Sequence, residues 1–317
     1  MTTAPPPMPA LPALPALPPD VTVRPLVVTD ARAVYELMAA QELADLGVVE
    51  IEEADIVGDW QRPSFDVSAG TTGLFVDDRL VAYAEVAADR GDAAVHPDHR
   101  GRGLGTWLAA WMRERARSCG TAIIGMPVPE GSPGDHLLTA LGYHVRWTSW
   151  VLKLDPTSSV PQRPLPPGYS LGEARTDEYP QVHGLVEDAF LEWSDRERES
   201  FDDFAAVTTR RPGFEPWHLR VVRDADGVPV ACAHVTLFDA EDGRGCEAYL
   251  SRLATRADHR GRGLAQALMV DTFATARVHG AGTTGLSTDS RTGALGLYER
   301  VGMQVTSTWV NRAIHLT

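Results

Sequence analysis

The phrase "DHRGRGL" stands at Asp98–Leu104 and again at Asp258–Leu264, 160 residues later. In each copy it precedes apolar residues at helical spacing. A strand running into such a loop and then a helix leaves several backbone N–H groups aimed at one spot. Those donors and the helix dipole make an anion site, and the glycines let a phosphate come close to the backbone. A P-loop would need G-x-x-x-x-G-K-[ST], which the chain lacks. A dinucleotide fingerprint would need a third glycine where Thr106 and Gln266 stand. What remains is [RQ]-x-x-G-x-[GA], met by Arg100, Gly103 and Gly105 and again by Arg260, Gly263 and Ala265.

The same 160-residue offset aligns Gly120 with Gly280, Gly125 with Gly285, Gly142 with Gly302 and Val145 with Val305. One register held this far indicates an internal duplication. Upstream, "LVAYAEV" answers "PVACAHV" before the second copy inserts a longer turn, "FDAEDGRGCEAYLS". Between the copies "LDPTSSVPQRPLPPGYS" has the composition of a linker. The expected divisions are a proline-rich disordered tail over 1–20, a first domain over 21–155, a linker over 156–168 and a second domain over 169–317. "TDARAVYELMAAQ" and "TDEYPQVHGLVEDAF" each predict a helix capped by its Thr-Asp pair. "HLRVVRD", "VPVACAHVTLF", "EAYLSRLAT", "GTTGLST" and "QVTSTWVNRAIHL" predict strands, and "TGALGLYERVG" a short helix. The predicted fold class is α+β, with a central mixed sheet flanked by helices in each of two tandem units.

The motif in its strand–loop–helix setting resembles the pyrophosphate-binding loop of the GNAT superfamily of N-acetyltransferases. About 38 residues on, "GALGLYERVGM" (Gly293–Met303) is similar to that family's tyrosine segment and puts Tyr298 at the tyrosine position. The two-copy arrangement is similar to tandem members of the mycothiol synthase type, in which one copy is expected to do the chemistry. The resemblance implies acetyl-coenzyme A as cofactor and transfer of its acetyl group to a small-molecule primary amine, which attacks the thioester directly. A cysteinyl amine, as in the mycothiol synthase reaction, and a non-catalytic acyl-coenzyme A sensor are the alternatives.

It also implies roles. Tyr298 would protonate the departing thiolate. Backbone donors on the strand before the loop (Leu253, Ala254, Thr255), with Arg260, Gly261, Arg262, Gly263, Leu264, Ala265 and Gln266, would bind the cofactor. In the family a glutamate precedes the motif by a distance that here falls on Ser251 or Tyr249. Glu247 lies one pair farther out on the same strand face and is the candidate base, with His234 on the neighbouring strand as a second. The family's asparagine is absent, and Ser290 or Arg291 occupies its region. In "EDAFLEWSDRERESFDDF" (Glu187–Phe204), Phe190 and Trp193 are candidates for the acceptor site, together with Tyr249 and His234. The first copy keeps Arg100, Gly101, Gly103, Gly105 and Thr106, which could still hold coenzyme A. It has Leu138 at the tyrosine position, and Ala87 and Gly91 where the second copy has Glu247 and Ser251, so it is expected to have lost the chemistry.

A net charge of −14 argues against a nucleic-acid partner. Three cysteines without metal-ligand spacing predict a reduced, cytoplasmic protein. The acetyl-transfer reading implies no metal, and a monomer or homodimer is expected. No apolar run approaches the length of a membrane span, and the amino terminus lacks a signal core.

Overall fold

The computed structural model describes residues 14–158, 160–239 and 246–316. The first half runs β1 (Thr22–Arg24), α1 (Ala31–Leu46), α2 (Glu53–Trp60), α3 (Val67–Gly70), β2 (Thr71–Val76), β3 (Arg79–Ala87), β4 (Arg90–Val95), α4 (Leu104–Ser118), β5 (Ile123–Pro129), α5 (Pro133–Ala140) and β6 (His144–Leu154). The second runs β7 (Ser170–Glu173), α6 (Tyr179–Phe190), α7 (Phe201–Ala206), β8 (Leu219–Arg223), β9 (Pro229–Asp239), β10 (Cys246–Thr255), α8 (Leu264–Val278), β11 (Ala281–Asp289), α9 (Leu295–Arg300) and β12 (Met303–His315). The halves repeat in element order from first strand to last, except that the first half has an extra short helix, α3, before β2.

Central strands are apolar without alternation because both their faces are covered. β9 is the example: Val230 to Val235 are buried throughout, between α8 on one side and α6 on the other. α8 turns Leu264, Ala267, Leu268, Met269, Phe273 and Ala276 inward at helical spacing. The Thr-Asp pairs predicted as caps sit instead at single 3-10 turns before α1 and α6, and neither helix has a side-chain cap.

All twelve strands of the described residues join one mixed sheet in the order β1-β2-β3-β4-β5-β12-β6-β11-β10-β9-β8-β7. Its middle departs from the expectation of one sheet per copy. β6, the last strand of the first half, pairs with β11 of the second, while β12 crosses back to pair with β5. β6 and β12 then pair with each other along most of their length. Each half thus completes the other's sheet, and a chain of backbone hydrogen bonds runs across the join.

Side chains reinforce it. Arg211 bonds Glu52 and Asp55, Arg62 bonds Glu199 at 3.0 Å, and Arg312 on β12 bonds Asp135 on α5 at 2.6 Å. Gly58 on α2 packs against the backbone of Ala206 and Val207.

The described residues of the proline-rich tail and of the linker pack on the fold. Residues 1–13 of the tail, and residues 240–245 of the long turn, lie outside the described residues. From Leu14 on, the tail is not free: Leu14 and Leu17 pack on the first-half core, and Asp20 bonds Arg102 at 2.6 and 2.7 Å. Their apolar side chains gain burial that proline-rich composition does not reveal. In the linker, Val160 is buried in the second-half core. The Ser158 carbonyl accepts from Arg277, and the Pro161 carbonyl from Gln266, both at 2.9 Å.

Candidate active site

β10 and β11 run parallel and in register only as far as Leu250 opposite Leu286. Beyond that point β11 continues on β6 through Asp289 opposite Ser149, while β10 continues on β9. A bulge between Leu250 and Arg252 turns Ser251 out of the β9 ladder as the strands part. The facing edges of Ser251–Thr255 and Ser287–Asp289 therefore have no strand between them, and their backbone groups border a cavity of about 840 Å³.

One end of the cavity is the repeated phrase. Gly261 and Gly263 adopt φ of +75° and +82°, which side chains rarely tolerate, and Gly263 then starts α8 with no side-chain cap. The first N–H groups of α8 are thus left for a ligand. Leu253, Ala254, Thr255, Arg260, Gly261, Gly263, Leu264, Ala265 and Gln266 all line the cavity, so nine of the ten loop and strand residues read from the sequence come together there. The tenth, Arg262, is turned to Tyr169 (2.5 Å) and to the Asp258 carbonyl (3.0 Å). Arg260 forms a two-pronged bond with Glu192 at 2.6 and 2.8 Å, which holds that carboxylate below its usual range.

Farther in, Tyr298 on α9 forms part of the wall and is 8% exposed. Burial pushes its phenol up to about 12, so it keeps its proton at neutral pH. Phe190 and Trp193, ring centroids 5.4 Å apart, line the side nearest α6.

Glu247, Tyr249 and His234 are not among the lining residues. Glu247 is buried and held by Lys153 of β6 at 2.9 Å, with Glu50 of the first half 3.4 Å from the same ammonium. Its carboxylate therefore neutralises a cation within the join. Tyr249 is hydrogen-bonded to Ser287, and burial pushes its phenol up to about 12. His234 is 2% exposed; burial, then the charge of Arg252, drive its pKa well below the usual imidazole value. Its Nδ1 lies 2.7 Å from Ser251 Oγ, and Ser251 does line the cavity.

Sequence reasoning missed Ser149, Arg163 and Ser287 in the wall. Ser149 arrives on the exchanged strand, for which no local signal exists. Arg163 lay in a stretch read as mere linker.

Comparison with known proteins agrees with this geometry. Residues 32–134 and 179–303, more than half of the chain, match the acetyltransferase (GNAT) family. The chain belongs to the GNAT family. A GCN5-related N-acetyltransferase from Sphaerobacter thermophilus is similar at 25% identity and a TM-score of 0.71, over 95% of this chain and 97% of that one. A tandem GNAT protein from the clavulanic acid biosynthesis pathway shares the fold at 18% identity and a TM-score of 0.68, over 94% and 99%. N-myristoyltransferase of Saccharomyces cerevisiae, solved with bound myristoyl-CoA, shares it at 13% identity and 0.71, over 95% and 80%. No curated protein sequence matches. The protein is thus an N-acetyltransferase enzyme of tandem GNAT architecture that transfers an acyl group from acyl-coenzyme A to an acceptor. No helix among the described residues is long and apolar enough to cross a membrane.

The first GNAT half keeps the loop, and its strands β4 and β5 also part, pairing only at Arg90 opposite Gly125, but it lacks the bulge. β3 and β4 pair in an unbroken register, with no bulge at the position of Ser251. Arg100 is locked to Asp45 at 2.8 and 2.9 Å, and Arg102 to Asp20. Leu138 is buried in the core. A smaller cavity of about 410 Å³ is lined by Arg100, Asp45 and Ser132, with Ser307 and Thr308 of β12. Gly101, Gly103, Gly105 and Thr106 are not in its wall.

Proposed function

We propose that the protein is an acetyl-coenzyme A-dependent N-acetyltransferase for a small-molecule primary amine, with its one reaction centre in the second half. The observation that carries this reading is the single cavity that joins the uncapped start of α8 to the buried phenol of Tyr298 across the parted strands β10 and β11. Bound acetyl-coenzyme A supplies the thioester. The α8 loop holds the diphosphate by its free N–H groups. Backbone donors on the unpaired edge of β10 polarise the thioester carbonyl and stabilise the oxyanion formed when the amine attacks. Tyr298 would give its proton to the departing sulfur as the carbon–sulfur bond breaks, and the proton that the nitrogen sheds on becoming an amide would pass through water in the cavity to restore the phenol.

Ser251 stands at the parting of the strands and orients the incoming amine. Either His234 tautomer leaves a lone pair of Ser251 Oγ for an amine N–H, because the hydroxyl donates to His234 Nδ1 or to the His234 carbonyl (3.2 Å). Glu247 acts on this chemistry only through the charge of Lys153. Phe190 and Trp193 form the acceptor side. Coenzyme A binds to the second half alone, since the cavity of the first half leaves Gly101, Gly103, Gly105 and Thr106 out of its wall, whereas the second loop lines its own.

The test is thiol release from acetyl-coenzyme A against a panel of small primary amines, with calorimetry for stoichiometry. Turnover with a primary amine and one cofactor site per chain is the expected result. A cysteinyl-glucosaminyl-inositol acceptor chosen above all others would assign the mycothiol synthase reaction. Binding without turnover of any amine would leave a sensor.

A further inference from the structure

The cradle above the α8 loop is occupied by a residue of the linker. A Cβ built on Gly263 would collide with Nε, Cδ and Cζ of Arg163, so that side chain lies directly on the glycine backbone. Arg163 lines the same cavity as Arg260 and Gly261. The two arginines differ in one respect. Arg260 is neutralised by Glu192, whereas the Arg163 guanidinium has no carboxylate or hydrogen-bond partner among the described residues. A free cation thus sits at the uncapped start of a helix in a protein whose net charge is −14.

The chain just before it is held at two points. Val160 is sunk in the core, and the Pro161 carbonyl is bonded to Gln266, a residue of α8 itself. The linker is thereby fastened to the helix two residues before the arginine. Little freedom has to be lost for the guanidinium to stay over the loop.

We propose that Arg163 is a diphosphate-binding residue of this enzyme, supplied by the joint between the two halves. The inference rests on the cavity being the acyl-coenzyme A site. The backbone N–H groups of α8 hold the diphosphate from below. Arg163 swings off Gly263 to meet its outer oxygens with its planar fork, which suits phosphate geometry. The linker is then part of the cofactor site as well as a tether.

The test compares the full-length protein with its R163A variant by calorimetry, using coenzyme A and 3′-dephospho-coenzyme A, and by kcat/KM with S-acetylpantetheine, which lacks the diphosphate. The expected result is affinity about tenfold weaker for both nucleotides, with S-acetylpantetheine unchanged, as for loss of one charge-assisted bond near solvent. R163K, which keeps the charge without the fork, should fall between. Unchanged coenzyme A affinity overturns the inference. So does a loss seen with coenzyme A alone, which would put Arg163 at the 3′-phosphate. An equal loss with S-acetylpantetheine also overturns it, since the arginine would then only support the loop. Failure of the unaltered protein to bind either nucleotide would instead sink the cofactor reading before Arg163 is reached.

Discussion

At the scale of single residues, Tyr298 is the group whose chemistry and position agree most closely. Its burial raises the phenol to about 12, which suits a group that must stay protonated until a thiolate appears. Tyr298→Phe should lower kcat by about two orders of magnitude, the ordinary worth of a positioned acid, while the coenzyme A dissociation constant stays the same. The pH profile checks the assignment separately. The proton is present below the raised pKa and lost above it, so the rate should climb as the amine deprotonates and show no fall from Tyr298 below pH 10. A descending limb near neutrality would point to another acid. This residue was legible in the sequence because "LYERVG" sits at a fixed distance from the loop. Glu247 was not legible in the same way. Strand alternation groups it with Tyr249 and Ser251, but the bulge at Ser251 breaks that alternation, and its partner Lys153 is 94 residues away and reaches it only through the exchanged strand.

Elements decide what the loop and the sheet can do. Gly263 needs a positive φ and lies against Arg163, so Gly263→Ala adds backbone strain and a clash at one position. Strain of roughly 1 kcal/mol from the left-handed backbone should lower the melting temperature by a few degrees. The same change should weaken coenzyme A binding, measured by titration calorimetry, well beyond that.

The β3–β4 pair carries a different strain. Glu85 stands opposite Asp92 in the register, and burial, then Asp92, raise its carboxyl to about 8, while the Trp60 indole donates to it at 2.9 Å. A carboxyl raised in the folded state favours folding at low pH, and that support is lost as pH rises from about 4.5 to about 8. Glu85→Gln keeps an acceptor for Trp60 and removes the ionisation. Urea unfolding should then show a flatter pH dependence across that window and higher stability at pH 8, by about 1–2 kcal/mol. An unchanged profile would show that Glu85 ionises freely in the folded protein.

The whole molecule should unfold as one unit, because a single sheet runs through both halves. A fragment ending at Asp155 presents β6 without β11 or β12, and a fragment beginning at Val160 leaves β11 without its neighbour. Each would expose an unpaired central strand edge, a template for aggregation. Neither fragment should give a cooperative melt when produced alone, and co-production of the two should restore one. Separate folding of the second fragment, with coenzyme A binding intact, would show that the exchange is dispensable.

The sequence by itself determined the duplication and the α+β class, and it picked out residues that share one cavity wall: the glycine loop, Tyr298 and the aromatic pair Phe190 and Trp193. Each rests on local spacing: glycines where backbone must turn, a tyrosine at fixed reach, apolar residues at helical or strand period. What only the tertiary structure decided was the partnership between the halves. Two near-copies of one unit present last strands of similar pattern, so the pairing of β6 with β11 and of β12 with β5 is set by the free energy of the whole sheet and leaves no local mark. From that choice follow Ser149 in the cavity wall and the capture of Glu247 by Lys153. Docking of the linker on α8 is likewise a long-range packing event. It buries Val160 and sets Arg163 on Gly263 at the start of α8.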